Sequence, residues 1–288
     1  MAGLFEGDFP PREFDVSIVE HLRSTERTDS TSLEWSRPPR LSSTFVRVAM
    51  PAYNEAEALP LLIPRIVEAL GEANYRFDIL VVNDCSTDRT AQVVEELADR
   101  YPLHLVSHER NQGLGGAITT CITRAIAGLH DSDVVITLDA DNTHPPQLMT
   151  RMVPMIREGR DVVIASRYRD GSQVVGLERY RLWMSNVSSW MMRLLFGVRE
   201  VRDYTCGYRA YRVGILRQAV EKYQPQLVRE SGFAAMAELL LNVSRLEAIF
   251  GEAPLVLRYD QKRGASKMKV LRTIYRTLAM MARHRFSG

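Results

Sequence analysis

Past an irregular opening stretch, the apolar positions of this chain fall into two alternating rhythms. Short runs rich in β-branched residues, Val46–Met50, Phe77–Val82, Leu103–Ser107, Val134–Leu138 and Val162–Ser166, have the length and content of buried strands. Between them, apolar residues recur at helical spacing. Leu59, Leu62, Ile63, Ile66, Val67 and Leu70 share one face, and helices are also predicted over Thr90–Arg100, Gly115–Gly128 and Gln147–Arg157. Strands alternating with helices predict a parallel sheet with right-handed crossovers. The expected fold class is α/β, a Rossmann-like, mostly parallel twisted sheet flanked by helices.

Both ends depart from this rhythm. Residues 1–43 carry Thr, Ser, Arg and Pro clusters and read as an N-terminal extension, partly disordered, with one helix near Asp15–Leu22. After Arg169 the regularity changes. Leu182–Phe196 places Trp183, Val187, Trp190, Met191 and Leu194 on one helical face, which suits a membrane interface or a domain core. Lys267–Arg285 is also amphipathic, with Leu271, Ile274, Leu278 and Met281 opposite Lys269, Arg272, Arg276 and Arg283. No acid follows Asp260, and eight Lys or Arg lie from Lys262 to Arg285. That face is either solvated or set against an anionic membrane surface. The expected organisation is an extension over 1–43, a sheet domain over 44–215 and a C-terminal region with amphipathic helices over 216–288.

A length of 288 residues, 45% hydrophobic and 25% charged, is that of an ordinary globular protein with a real core. A net charge of +2 gives no reason to expect a nucleic-acid partner. The three scattered cysteines fit neither a zinc spacing nor a disulfide framework, so a reducing cytoplasm is expected. Neither a signal peptide nor an apolar stretch of about 18 residues is evident.

Candidate chemistry gathers where strands end. Val135-Ile-Thr-Leu-Asp-Ala-Asp-Asn142 is an apolar run that stops at two carboxylates one residue apart, followed by Thr143-His-Pro-Pro146. Open α/β sheets bind ligands at the C-terminal edges of their strands, and hard divalent cations take carboxylate oxygens together with substrate phosphates. A metal-bound diphosphate at Asp139 and Asp141 is one reading; a helix N-cap before Pro145-Pro146 is the other. Met50-Pro-Ala-Tyr-Asn-Glu55 ends the first strand, where Tyr53 can edge a base and Glu55 can accept from ribose or base donors. Asp84, at the end of the second strand, is placed to read the N–H groups of a nucleobase, whereas Ser86, Thr87 and Asp88 read as turn and cap residues. Asn111-Gln-Gly-Leu-Gly-Gly-Ala117 opens a helix; on its own it reads as a tight turn more readily than as a phosphate site.

These motifs, with Ala165-Ser-Arg-Tyr168, Asp203-Tyr-Thr-Cys-Gly-Tyr-Arg209, Ser231-Gly-Phe233 with Glu238, and Arg263-Gly-Ala-Ser-Lys267, occur in the order and spacing of inverting family 2 glycosyltransferases of the GT-A fold. The set resembles dolichol- and polyprenyl-phosphate mannose synthases over about residues 45 to 275. The resemblance makes 44–215 a nucleotide-sugar-binding catalytic domain and 216–288 its acceptor side. It implies that Pro51, Tyr53, Glu55 and Asp84 hold the nucleoside, with Gly113 and Gly116 on the donor. Asp139 and Asp141 would hold Mg2+ or Mn2+ on the donor diphosphate. Arg167, Arg209, Arg263, Ser266 and Lys267 would form the phosphate and acceptor pocket, which suits the planar fork of arginine. Asp203 and Arg209 join the two metal carboxylates as expected catalytic residues. Three positions depart from the pattern. Thr143 stands where a metal-binding Gln is usual and is expected as a third, weaker metal ligand, and Cys206 and Tyr208 replace Ser and Phe around Gly207.

The implied reaction moves a sugar from GDP-mannose or a UDP-sugar to a polyprenyl or dolichyl phosphate. That acceptor is anionic at neutral pH and needs no strong general base, so the protein supplies charge neutralisation and positioning. The alternative is transfer to a hydroxyl of a soluble small molecule, which needs a base; Asp203 is the candidate. A non-catalytic nucleotide-sugar-binding or membrane-scaffold role is disfavoured by the intact carboxylates and basic set. The expected location is cytoplasmic, peripheral on the membrane face.

Overall fold

The run Val46, Val48, Ala49 and Met50 is wholly buried, as a strand covered on both faces by helices must be. In the computed structural model it is the centre of β1 (Phe45–Ala52), and the order continues α1 (Leu59–Glu72), β2 (Arg76–Asn83), α2 (Thr90–Ala98), β3 (Leu103–Ser107), α3 (Gly113–Ala125) and β4 (Val134–Thr137). A 3-10 turn (Pro146–Leu148) leads into α4 (Met149–Arg157), followed by β5 (Val162–Ser166), β6 (Gln173–Val175) and α5 (Arg179–Phe196). Then come β7 (Arg209–Arg212), α6 (Val213–Tyr223), α7 (Ala234–Ser244), β8 (Phe250–Pro254) and β9 (Val256–Arg258). The structure describes residues 44–176, 179–224, 226–230, 232 and 234–261. The expected helix at Asp15–Leu22 and the amphipathic segment Lys267–Arg285 lie outside them.

The main sheet has seven strands in the order β3-β2-β1-β4-β7-β5-β8, and β6 pairs with β9 in a second, two-stranded sheet. The five strands expected from the sequence are all present, and β1, β2, β3 and β4 pair in parallel. Four strands were not expected: β6 and β9 of the small sheet, β8 at the edge of the main sheet, and β7, which runs antiparallel between β4 and β5 with Thr137 opposite Arg209 and Arg209 opposite Ile164. The sheet is therefore mostly parallel, as expected, with a reversed strand inserted.

From β1 the chain builds β2 and β3 on one side and then crosses to β4 on the other. This reversal opens a crevice at the C-terminal edge between β1 and β4, the place where open α/β sheets bind ligands. Residues after β1 and after β4 flank it directly, and those after β2 lie beside β1.

Candidate donor and acceptor site

The loops after β1 and β2 are tied into one wall. Asn54 has a left-handed φ of 55°, which Asn tolerates, and its side chain accepts from Thr87 N at 2.8 Å and donates to Thr87 Oγ1 at 3.1 Å. Asn54 N donates to Ser86 Oγ, and Asp88 accepts from Thr90 N at the start of α2, so Ser86, Thr87 and Asp88 hold the turn together as expected. Tyr53 stays 36% exposed on this wall, with Pro51 and Glu55 half-buried beside it.

Asp84 has a different setting from the one its position suggested. Its carboxylate is 3% exposed and accepts from Gln112 N, Gly113 N and His108 Nδ1, each at 2.8 Å. A carboxylate only accepts, so His108 donates from Nδ1, and its Nε2 lies in hydrogen-bond contact with Thr120 Oγ1 at 2.9 Å. Asp84 thus fixes the start of α3 from below rather than presenting a free carboxylate to a base. The N–H of Gly113 is spent on Asp84 rather than aimed at a donor phosphate. Gly116 has a steric reason of its own: a Cβ there would stand 2.5 Å from Gln112 Cβ.

The carboxylate loop follows β4. Asp141 is 9% exposed; its Oδ1 accepts from Thr143 N at 3.2 Å and from Thr143 Oγ1 at 2.6 Å. Thr143, expected as a metal ligand, directs its hydroxyl proton to Asp141 and so orients that carboxylate from behind. Asn142 turns the chain with φ 61° and accepts from Arg65 Nη1 at 2.6 Å. Asp139 N donates to His144 Nδ1 at 3.4 Å, which leaves the His144 proton on Nε2. Gly207 lies against Asp139: a Cβ there would stand 3.0 Å from Asp139 Oδ1, a tight contact that would press on the carboxylate and that glycine avoids. Tyr208, where the family usually has Phe, rests its ring on His144 at 5.1 Å and donates its hydroxyl to Pro145 O at 3.1 Å.

Beyond this loop, Arg167 and Asp203 form a two-pronged ion pair. Arg167 Nε donates to Asp203 Oδ2 at 2.8 Å and Nη2 to Oδ1 at 2.7 Å, while the backbone N–H groups of Arg167, Thr205 and Cys206 complete the carboxylate. Burial pushes the Asp203 carboxyl up, but the guanidinium and the backbone donors outweigh burial and hold it below the usual carboxylate range. Asp203 is 0% exposed, so its expected role as a general base is corrected: it has neither access nor basicity. Arg167 keeps 21% of its side chain exposed; its Nη2 also reaches Thr205 Oγ1 at 2.7 Å, so Nη1 is the guanidinium nitrogen that neither Asp203 nor Thr205 engages. Burial also pushes the neighbouring Cys206 thiol up to about 12, which makes it inert packing.

Arg209 also departs from expectation. It is 0% exposed, donating Nη1 to Met236 O at 2.8 Å and Nη2 to Tyr204 O at 2.7 Å. It cannot reach an acceptor phosphate; it clamps the 204 loop to α7 across β7. Arg209→Ala should therefore lower stability and leave acceptor KM unchanged in the protein that still folds. Each lost hydrogen bond from the buried guanidinium costs about 1–3 kcal/mol, readable by denaturant unfolding. Normal stability with a raised acceptor KM would contradict this placement.

The Glycosyl transferase family 2 profile matches residues 47–219, the part of the chain that builds this sheet and its crevice. The chain is a family 2 glycosyltransferase. The transferase is 32% identical over 240 residues to the dolichol-phosphate mannosyltransferase of Pyrococcus furiosus, which covers 81% of this chain and 63% of that protein, so the match spans less than two thirds of the relative's length. It is 31% identical over 223 residues to the polyprenol monophosphomannose synthase of Mycolicibacterium smegmatis, covering 77% of this chain and 80% of the relative. Among solved structures it resembles glucosyl-3-phosphoglycerate synthase from Mycobacterium tuberculosis in complex with Mn2+, UDP and glucosyl-3-phosphoglycerate. The TM-score is 0.56 at 20% identity, covering 87% of this chain and 86% of that one, a likeness that shows the GT-A fold.

Sequence reasoning missed two buried groups that organise the transferase's site. His108 is a lone histidine in a polar loop, with no periodic signal to mark it. Glu252 left a trace, as an acid inside the otherwise apolar strand β8. Its Oε1 accepts from Arg202 N at 2.6 Å and Asp203 N at 2.7 Å, holding the Asp203 loop in place. Burial pushes the Glu252 carboxyl up. Glu238 of α7 is 2% exposed and accepts from Arg229 N and Glu230 N, each at 2.8 Å. Ser231, Phe233, Arg263, Ser266 and Lys267 lie outside the described residues. The chain that leads to the last three leaves from beside the carboxylate loop, where Arg258 N donates to Thr143 O at 3.1 Å.

Proposed function

We propose that the transferase moves a sugar from a nucleotide-diphosphate sugar, GDP-mannose or a UDP-sugar, onto a polyprenyl phosphate. The observation that carries this reading is the state of Asp203. A hydroxyl acceptor needs a base, and the candidate base is sealed in an ion pair. A phosphate acceptor arrives already ionised and asks only for cationic positioning, which Arg167 offers at its outer edge. The names of the Pyrococcus and Mycolicibacterium relatives, and the undecaprenyl-phosphate mannosyltransferase of Micrococcus luteus at 31% identity, point the same way.

Asp139 and Asp141 fit a hard divalent cation, Mg2+ or Mn2+. They are oxygen donors one residue apart, with Thr143 orienting one and Gly207 leaving room beside the other. Among the described residues no three His, Cys, Asp or Glu side chains gather into a fuller cage, and magnesium commonly takes only one or two carboxylates beside substrate phosphates and water. When bound, the cation would neutralise charge on the departing nucleoside diphosphate. In this reading Tyr53, Pro51 and Glu55 flank the nucleoside, Asp84 holds the start of α3 behind it, and Arg167 with Arg263, Ser266 and Lys267 takes the acceptor phosphate. The catalytic body over 44–215 carries the donor, and 216–288 serves the acceptor side.

Among the described residues no helix is long and apolar enough to cross a membrane. Val187, Trp190 and Leu194 of α5 are nonetheless 38%, 61% and 70% exposed, which supports peripheral attachment at the cytoplasmic membrane face. A screen of GDP- and UDP-sugars, each offered with polyprenyl phosphate and with soluble hydroxyl acceptors, tests the assignment. Turnover is expected with the lipid phosphate; glycosylation of soluble hydroxyls alone would overturn it.

A further inference from the structure

Beside the C-terminal half of α5 lies a cavity of about 470 Å³ that shares no residue with the carboxylate loop. Three guanidinium groups, Arg169, Arg193 and Arg202, line it against a single carboxylate, Glu200. The existing pairings of these cations are weak. Arg169 stands 3.6 Å from Glu200 and 3.8 Å from Glu252, both longer than a charge-assisted hydrogen bond, and Arg202 Nη1 gives one bond to Tyr168 O at 3.2 Å. The cavity is therefore net cationic and keeps guanidinium donors to offer a ligand.

Its rim is apolar. Trp190 and Leu194, one helical turn apart, line the opening while remaining 61% and 70% exposed. Large side chains left in water at this level mark a surface that meets something apolar, and tryptophan is the residue type that settles at a bilayer interface. A free phosphate ester would use the arginines and leave the rim idle; an uncharged apolar ligand would use the rim and leave the three cations without an anion. A phosphate with hydrocarbon attached satisfies both.

We infer that this cavity seats the phosphate headgroup of an anionic membrane lipid, with Trp190 and Leu194 entering the acyl layer around it. The site is separate from the acceptor phosphate assigned to Arg167, whose fork is turned into Asp203. It goes beyond sugar transfer: attachment, and with it access to a lipid acceptor, would depend on the headgroups of the surrounding membrane.

The test uses the full chain and short-chain lipids below their micellar concentration, read by calorimetry. Phosphatidylglycerol is expected to bind saturably at one site, and phosphatidylcholine of the same chain length about tenfold or more weakly. Arg193 is exposed, so Arg193→Glu should melt like the parent yet lose the preference for the anionic lipid. Leu194→Ser should weaken both lipids together. The same order should appear in flotation on vesicles of phosphatidylglycerol against phosphatidylcholine. Equal binding of the two lipids, an unchanged preference in Arg193→Glu, or glycerol phosphate binding as tightly as the lipid would each overturn the site. Transfer to a detergent-dispersed acceptor should be unchanged in Arg193→Glu. Absence of transfer with every acceptor, in a protein that still selects the anionic lipid, counts against the proposed function and leaves this site standing.

Discussion

Asparagine in place of Asp141 should leave a folded transferase with turnover lowered by about two to three orders of magnitude. The fold survives because the asparagine oxygen can still accept from Thr143 N and Thr143 Oγ1, the two bonds that shape the turn. The chemistry does not, because a neutral amide holds a hard dication poorly. Cation stabilisation of a leaving diphosphate is worth several kcal/mol, at about 1.4 kcal/mol for each tenfold in rate. Steady-state rates beside a thermal melt separate the two effects. A variant that melts normally and turns over normally would show that the carboxylate pair serves only as a turn.

The largest effect on stability is expected at Asp203. Asp203→Ala strips the partner from Arg167 and orphans the N–H groups of Arg167, Thr205 and Cys206. Breaking a buried pair by removing one member costs about 3–5 kcal/mol, a large share of a typical domain's stability. Denaturant unfolding measures it directly. The pH dependence has a defined sign. The folded Asp203 carboxyl is held below its ordinary value, so its contribution is fully present above about pH 4, where the unfolded group is ionised, and fades as pH falls through the lower folded value. A catalytic base would behave differently: Asp203→Asn would keep full stability and flatten the pH profile of the rate. That result would restore the soluble-hydroxyl reading.

The first five strands of the main sheet were legible because each is a short, mainly apolar run between helical periods; the isolated Arg47 and Asp78 do not blur it, since they pair with each other across β1 and β2. β7 was not legible. Arg209-Ala-Tyr-Arg212 carries two arginines in four residues, and nothing local reveals that Arg209 is wholly buried with carbonyl partners from Tyr204 and Met236. The edge of the sheet was readable from the abrupt stop of an apolar run at Asp139. What each charged side chain does there was not, since it depends on partners distant in sequence. Asp84 looks like a free base-reading acid until His108 and the start of α3 are seen upon it. Asp203 looks like a base until Arg167 is seen in its grip. The same contacts account for the departures from the family pattern. Thr143 serves Asp141 through its hydroxyl, and Tyr208 finds Pro145 O for the oxygen that Phe would lack.

The central claim is that the acceptor is an ionised lipid phosphate, so that the protein needs no general base. The most direct measurement offers one labelled nucleotide-sugar to polyprenyl phosphate and to the corresponding polyprenol, with Mg2+ and with excess chelator, and follows label into the organic phase. The account predicts label on the phosphate in the presence of the metal and none on the alcohol. Glycosylation of the alcohol at a comparable rate, or undiminished transfer to the phosphate in chelator, would contradict it.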